Sequence, residues 1–310
     1  MAGQQIPKIP VKKLAAALVL LWAITPLAAQ QPQGEDRTRL LWNTKFREKR
    51  PATARPASSP ASSAPARPAP AAAPQPDPQT QKELDQLGDS LVGITVWKLR
   101  EARAGDDQDV SLSGPRPNER LTPQRVEADT PLTPGDKVRV TVETARSGYL
   151  YVVDREQYAD GSYGEPYLIF PTLRTMGGDN EVRAGRLVDI PSWNDSPPYF
   201  TMQARRPDQS AEVLTVLITP KPLQELRIGR DPLQLTNEQL AGWSSQWGVR
   251  VERLEARGQA GKAYTKAEKE AATDRTRLLT HEEPLPQTMY YLEAEPGNPL
   301  LLNVPLRIAR

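Results

Sequence analysis

Side chains that commonly carry out catalysis are scarce in this sequence. The chain has 310 residues, no cysteine and a single histidine, His281. The missing thiol excludes a cysteine nucleophile and a thiolate metal site, and a single imidazole excludes a multi-histidine site. Glu282 and Glu283 follow His281, and a carboxylate can orient an imidazole as a general base. A solvated loop histidine is the commoner case, so we predict no catalytic residue and no enzyme activity.

Motifs for nucleotide and acyl chemistry are also missing. The chain contains no G-x-G-x-x-G, Walker or G-x-S-x-G motif, and Gly258, Gly261 and Lys262 have the wrong spacing for a phosphate loop. We therefore expect no cofactor. A pair of carboxylates that hydrolyses glycosides stays open as an alternative, because the separation of the pair is a property of the tertiary structure.

Four oxygen-bearing side chains lie in predicted loops next to neighbouring strands: Asp154, Asp160, Asp179 and Asn180. Side chains of this kind can bind Ca²⁺, although their spacing matches no EF-hand. Asp-Gly and Asp-Asn pairs also favour tight turns. We predict turn formation and no metal site, and a calcium site is left as the alternative.

Tyrosines crowd two predicted hairpins and are the best candidates for a binding face: Tyr149, Tyr151, Tyr158, Tyr163 and Tyr167. An aromatic face can stack on a sugar or contact a partner protein. Cross-strand tyrosine pairs also stabilise an antiparallel sheet without binding anything. Both interpretations remain open at the level of sequence.

The hydrophobic pattern around these side chains is that of β-strands. Residues 91–99 are rich in β-branched and aromatic side chains, and a polar loop follows them to about residue 134. Residues 137–143 alternate, which predicts that the valines at 138, 140 and 142 face a core while the charges between them face water. A turn at residues 144–148 predicts an antiparallel hairpin with a strand at residues 149–153.

Further strands are predicted at residues 167–170, 187–190, 199–204, 212–219, 289–294 and 300–308. Two capping boxes, which begin at Thr236 and Thr265, predict helices, and Leu240, Trp243 and Trp247 share one face of the first helix. We therefore predict a mainly β fold, an antiparallel β-sandwich with a few α-helices in the C-terminal third that pack on one side or edge of the sheet.

The N-terminal residues 1–29 have the pattern of a secretory signal peptide. Basic residues precede an apolar run, and small residues at its end predict cleavage before Gln30. The alternative is an uncleaved membrane anchor at residues 14–29, which is slightly short for a bilayer. Removal of the three signal lysines changes the formal charge from +2 to −1, so we expect no nucleic-acid partner.

Residues 30–82 are predicted to be a disordered basic leader and linker that contribute nothing to a core. Residues 37–50 mix apolar and basic side chains, a pattern that also fits a docking peptide or an interfacial helix. In residues 51–78, proline and alanine fill 19 of 28 positions, a composition that favours an extended spacer. Residues 83–310 are predicted to form one globular β-rich domain.

An ordered set of landmarks at about residues 130–220 resembles the DUF4384 family of domains of unknown function. The landmarks are Pro134-Gly135-Asp136, Gly148-Tyr149-Leu150-Tyr151-Val152, Asp160-Gly161-Ser162, Phe170-Pro171, Asp179-Asn180, Ala184-Gly185, Ile190-Pro191 and Leu214-Thr215-Val216. The resemblance implies a bacterial domain common in exported or envelope-associated proteins. The role of that family is undefined, so it implies no site residues.

These observations favour a non-catalytic, exported, envelope-associated binding module in the periplasm or outside the cell. Its partner would be another envelope protein or a surface polymer. One alternative is a structural tether that is anchored in the membrane through residues 14–29 and carries a proline-rich spacer. The other alternative is a carboxylate-based hydrolase, which would require acidic side chains to converge in a cleft.

Overall fold

The computed structural model describes residues 46–52 and 90–309, whose strands form two β-sheets packed face to face. The predicted signal peptide, at residues 1–29, and most of the predicted leader and linker, at residues 30–82, lie outside the described residues. In the described part of the chain, no helix is both long and apolar enough to cross a lipid bilayer.

Fourteen strands and two α-helices lie in the described part. The first seven strands are β1 (Leu91–Glu101), β2 (Leu112–Ser113), β3 (Arg120–Val126), β4 (Lys137–Thr144), β5 (Gly148–Tyr158), β6 (Tyr167–Phe170) and β7 (Glu181–Val182). The next four are β8 (Val188–Ile190), β9 (Phe200–Thr201), β10 (Gln209–Thr219) and β11 (Leu233–Gln234). The remaining elements are α1 (Asn237–Trp247), β12 (Val251–Glu255), α2 (Lys266–Thr273), β13 (Thr288–Leu292) and β14 (Leu300–Arg307).

The strands form an eight-stranded and a six-stranded sheet, and the paired strands of both sheets are antiparallel. In the eight-stranded sheet, β12, β13, β1, β3 and β2 follow one another, β4 pairs with β1, and β8 and β9 pair with β4. In the six-stranded sheet the order is β11, β6, β5, β10 and β14, and β7 pairs with β5. The predicted fold class, an antiparallel β-sandwich with a few helices, is confirmed.

The inner faces of the two sheets share one hydrophobic core. Val138, Val140 and Val142 of β4 point into it, as their alternation predicts, together with Val152 of β5 and Val216 of β10. Each such side chain stabilises the fold by roughly 1.5–3 kcal/mol when it is fully buried. In a chain without a disulfide, this burial is the main source of stability.

The outer face of the eight-stranded sheet is covered, so the prediction that the charges of β4 face water is wrong. Arg139, Thr141 and Glu143 alternate with the core valines, yet all three are buried. Residues 256–287 and residues 46–50 pack over this face. The alternation assigned the two faces correctly, but it could not show a second layer that supplies partners for buried charges.

The predicted hairpin between β4 and β5 is also wrong. β4 pairs with β1, β8 and β9, whereas β5 pairs with β6, β7 and β10 in the other sheet. The turn therefore carries the chain across the core, and it brings the apolar faces of both strands into the same core. Gly148 begins β5 where a Cβ would lie 2.7 Å from the carbonyl oxygen of Thr219, so a side chain there would collide with backbone.

The two helices lie on opposite outer faces of the sandwich rather than on one side or edge. Leu240 and Trp243, which share one face of α1 as predicted, pack on Tyr151 and Leu217 of the six-stranded sheet. α2 lies over the eight-stranded sheet, where Glu268 pairs with Arg125 of β3. Both helices begin with the predicted capping boxes.

Residues 46–50 are an integral part of this domain, in contrast to the prediction that the leader adds nothing to a core. The Phe46 side chain is buried against Leu91, Met289 and Tyr291. Arg50 is buried and donates two hydrogen bonds to Glu143, with lengths of 2.8 and 2.6 Å. The described residues on either side of positions 53–89 therefore belong to the same domain, so the length of the proline-rich segment does not set the distance between the domain and residues that precede Phe46.

Candidate functional site

The predicted tyrosine face is divided by the sheet into separate environments. Tyr149 and Tyr151 point toward α1, where Tyr151 is buried and its hydroxyl accepts a 2.8 Å hydrogen bond from the backbone N–H of Leu223. These two side chains pack the helix on the sheet. Tyr151 is unable to contact a ligand without unpacking that layer.

The other three tyrosines lie toward the far end of β5, and arginines cover two of them. The Arg206 guanidinium lies 3.9 Å from the ring centre of Tyr158. The Arg155 guanidinium lies 3.8 Å from that of Tyr163. Tyr163 and Tyr167 are exposed. The end of the sandwich near Tyr158 therefore keeps accessible aromatic groups, although the five tyrosines do not form one face.

The four candidate calcium ligands do not form one group, and three of them have other partners. Asp160 accepts two hydrogen bonds from Ser162, and Asn180 donates to the carbonyl oxygen of Leu150. Asp179 lies 2.8 Å from the Arg186 guanidinium. Asp154 lies in a different environment inside the sandwich. Within residues 46–52 and 90–309, no group of three or more histidine, aspartate and glutamate side chains is placed to hold a metal ion.

His281 is not oriented by the carboxylates beside it. Glu282 pairs with Arg47, and Glu283 pairs with Arg277. The Nε2 atom of His281 is shielded from solvent and has no hydrogen-bond partner among the described residues. No carboxylate in the described ranges therefore prepares this imidazole as a general base.

A cavity of about 220 Å³ opens between the two sheets where the core ends. We call it the acidic mouth. Its polar lining includes Asp154, Glu212 and Arg205, and Glu156 lies next to it. Its apolar walls come from both sheets and from the chain that precedes β10: Val138, Ile169, Phe200, Met202, Leu214 and Leu306.

Strand register brings the carboxylates of the acidic mouth together. Along β5, the inward positions after Val152 are Asp154 and Glu156, so the same face changes from apolar to acidic as the strand leaves the core. Glu212 of β10 lies directly opposite Glu156. Like charges at opposed positions of an antiparallel pair destabilise the sheet, so this pairing is a cost that the fold carries.

Burial is the main cause that raises the pKa of Asp154 to about 8, and the negative charges of Glu212 and Glu156 act in the same direction. The Arg205 guanidinium and the backbone N–H of Arg155 oppose this rise in the pKa. The pKa of Glu212 is also raised, first by burial and then by Glu156. At neutral pH the mouth therefore holds a carboxyl group that keeps its proton.

One oxygen of the acidic mouth has no partner. Asp154 Oδ1 is shielded from solvent and forms no hydrogen bond in the described part of the chain. The two neighbouring carboxylates do have partners. Gln209 donates a 2.8 Å hydrogen bond to Glu212, and the Arg205 guanidinium lies 3.3 Å from Glu156. A buried polar atom without a partner costs about 1–3 kcal/mol and often marks a functional position.

Two other features hold many charges but pair most of them internally. A larger cavity, about 600 Å³, lies among the loops at residues 101–120, where Arg116 pairs with Glu101 and Glu119. On the outer face of the eight-stranded sheet, Asp189 accepts four hydrogen bonds, from Arg139, Thr141, Trp193 and Tyr264. The second network fixes the covering layer to the sheet.

A signal for the acidic mouth lies in the sequence just past residue 153, where the strand was predicted to end. β5 itself continues through Asp154 and Glu156 to Tyr158. A strand whose inward positions become acidic indicates a polar opening of the core. Glu212 was placed in a strand, but its position opposite Glu156 depends on strand pairing, which local patterns do not specify.

Comparisons with protein-family models, with curated proteins and with solved structures found no match to this chain.

Proposed function

We propose that this chain is an exported, envelope-associated binding module without catalytic activity, and that its ligand enters the acidic mouth. The observation that carries the proposal is that Asp154, which lines the cavity together with Glu212, has a shielded Oδ1 without a hydrogen-bond partner among the described residues. Selection for stability alone would favour an apolar or paired side chain at such a position. A ligand that pairs with the carboxylates would offset this cost.

Support for export and for the envelope comes from the signal-peptide pattern and from the resemblance to DUF4384. The chain has no cysteine, so it depends on neither a reducing nor an oxidising compartment. Intact-mass analysis and fractionation of a bacterial host test this part. A soluble chain that begins at Gln30 outside the cytoplasm supports the binding module, whereas a full-length chain in the membrane fraction supports the tether alternative.

The binding site is tested with thermal-shift measurements on the chain from Gln30 onward. A panel of small amines, sugars, carboxylates and peptides is screened against the wild type and the variants Asp154→Asn and Glu212→Gln. The matched control is Glu225→Gln, which makes the same carboxyl-to-amide change at an exposed position. A stabilising compound that loses its effect in both mouth variants but not in the control supports the proposal. Equal shifts in all four proteins would place the site elsewhere.

A second candidate function, carboxylate-based hydrolysis, is favoured by one observation. Asp154 keeps its proton at neutral pH and lies close to other carboxylates, a combination that glycosidases use for a general acid and its partner. The test is incubation with cell-envelope glycans, with mass spectrometry to detect the addition of water. Cleavage that is lost in Asp154→Asn supports this function, and intact glycans after prolonged incubation reject it.

A further inference from the structure

The charge of the acidic mouth restricts the ligand that it can accept. Asp154, Glu156 and Glu212 supply three carboxyl groups, and Arg205 supplies the guanidinium beside them. Arg205 approaches Glu156 from the rim, where its side chain is largely exposed. Asp154 and Glu212 are more deeply buried, and burial is the main cause that raises the pKa of each. The carboxylates would repel an anionic ligand there, whereas they would attract a cation and be neutralised by it.

The shape of the cavity adds a second restriction. Its volume of about 220 Å³ is below the range of about 300–1,000 Å³ that is typical of drug-sized ligands. Ile169, Leu214 and Leu306 form apolar wall next to the carboxyl groups. A small cavity that combines apolar walls with acidic groups suits a short alkyl stem that ends in a charged donor. Ionised carboxylates are acceptors only, so a group with several N–H donors satisfies them best.

We infer that the acidic mouth binds a primary alkylammonium group, such as the side chain of a lysine or the end of a diamine. The ammonium group lies between Asp154 and Glu212, and its methylene stem lies against the apolar walls. This inference rests on the proposed function, because it names the ligand class for the same cavity. It also offers a donor to the carboxyl group of Asp154, whose Oδ1 has no partner among the described residues.

Binding of an ammonium group requires Asp154 to lose its proton. The charged groups that face Asp154 are Glu156 on its own strand, Glu212 on β10 and Arg205 on the chain before β10. Between pH 6 and pH 9 the ionised fraction of a carboxyl group with a pKa of about 8 rises from about 1% to about 90%. Alkylamines stay protonated over this range, with a pKa above about 10. Apparent affinity should therefore increase about 100-fold, because only the ionised form is competent.

The experiment is calorimetric titration of the wild-type chain with n-butylamine at pH 6, 7.5 and 9. Butyrate and n-butanol serve as probes of equal length with opposite or no charge. We expect n-butylamine alone to bind, about 100-fold more tightly at pH 9 than at pH 6. At pH 7.5, titration in buffers with different ionisation enthalpies should show release of up to about one proton per amine bound.

Variants separate the contributions of the two carboxyl groups. Asp154→Asn should abolish proton release, and Glu212→Gln should weaken binding of n-butylamine at pH 9 by at least about tenfold. The exposed control Glu225→Gln should bind as the wild type does. Absence of n-butylamine binding at pH 9, or identical binding in the wild type and in the double variant of Asp154 and Glu212, would overturn the inference.

One further probe distinguishes failure of this inference from failure of the proposed function. Acetamide offers a neutral carbonyl acceptor to a protonated Asp154. Binding of acetamide that is lost in Asp154→Asn, without binding of n-butylamine, would reject the ammonium ligand and keep the mouth as the site. If no compound of the wider panel depends on Asp154 or Glu212, the proposed function itself is rejected.

Discussion

Removal of the Arg50 side chain should destabilise the domain strongly, even though Arg50 lies well before β1 in the sequence. Its guanidinium is buried, donates two hydrogen bonds to Glu143, and also donates to the carbonyl oxygens of Thr280, Glu283 and Pro284 at 3.1–3.2 Å. Arg50→Ala removes all five hydrogen bonds at once. It also leaves Glu143 as a buried charge without its guanidinium partner.

The size of the effect follows from the burial of this ion pair. The loss of one partner of a buried pair typically costs about 3–5 kcal/mol. Release of residues 46–50 would let water reach Glu143 and reduce the loss, so we expect a decrease of about 3 kcal/mol in the free energy of unfolding. The assay is urea denaturation of the chain from Gln30 onward, followed by tryptophan fluorescence.

A neighbouring arginine provides the matched control. Arg47 pairs with Glu282 at 3.5 Å, and both side chains are exposed. Arg47→Ala removes the same side-chain type from the same segment and should cost less than about 1 kcal/mol. The effects of Arg50→Ala and Glu143→Gln should be strongly non-additive, with a coupling of about 1 kcal/mol or more. Equal effects of Arg47→Ala and Arg50→Ala, or additive effects of Arg50→Ala and Glu143→Gln, would refute the docking of residues 46–50.

Three further predictions concern single side chains. The pKa of Asp154 is raised in the folded state, so the folded chain binds a proton that the unfolded chain lacks between about pH 4 and pH 8. The free energy of unfolding should therefore fall as the pH rises through this window. In urea titrations, Asp154→Asn should be more stable than the wild type by about 2 kcal/mol or more at pH 9, and the two should differ little at pH 4. Asp189→Ala should lower the free energy of unfolding by about 3–5 kcal/mol, because it leaves the buried guanidinium of Arg139 without its carboxylate. The control Asp208→Ala removes an exposed ion pair and should lower it by less than about 1 kcal/mol. Similar values for the two variants would contradict this prediction. Thr236→Ala removes the capping side chain of α1 and should lower the free energy of unfolding by about 1 kcal/mol, and an unchanged value would show that the cap is dispensable.

The sequence alone determined much of the secondary structure. Alternation located β4, and β-branched composition located β1, because both patterns are local consequences of the strand period. The capping boxes at Thr236 and Thr265 marked the starts of α1 and α2, because a cap depends on residues three positions apart. β3 was missed inside a predicted polar loop, since its sequence contains a proline and several polar or charged side chains.

Tertiary structure alone decided which strands pair and what covers each face. The turn between β4 and β5 is compatible with a hairpin and with a crossing between sheets, and only the shared core selects the crossing. The burial of Arg139 and Glu143 depends on segments that lie far away in the sequence. The acidic mouth has the same origin, because Asp154 and Glu212 are 58 positions apart and meet only through the register of β5 and β10. Local sequence patterns show the strand period and the helix caps. The acidic mouth and the layer over the eight-stranded sheet arise from contacts between residues that are distant in the sequence.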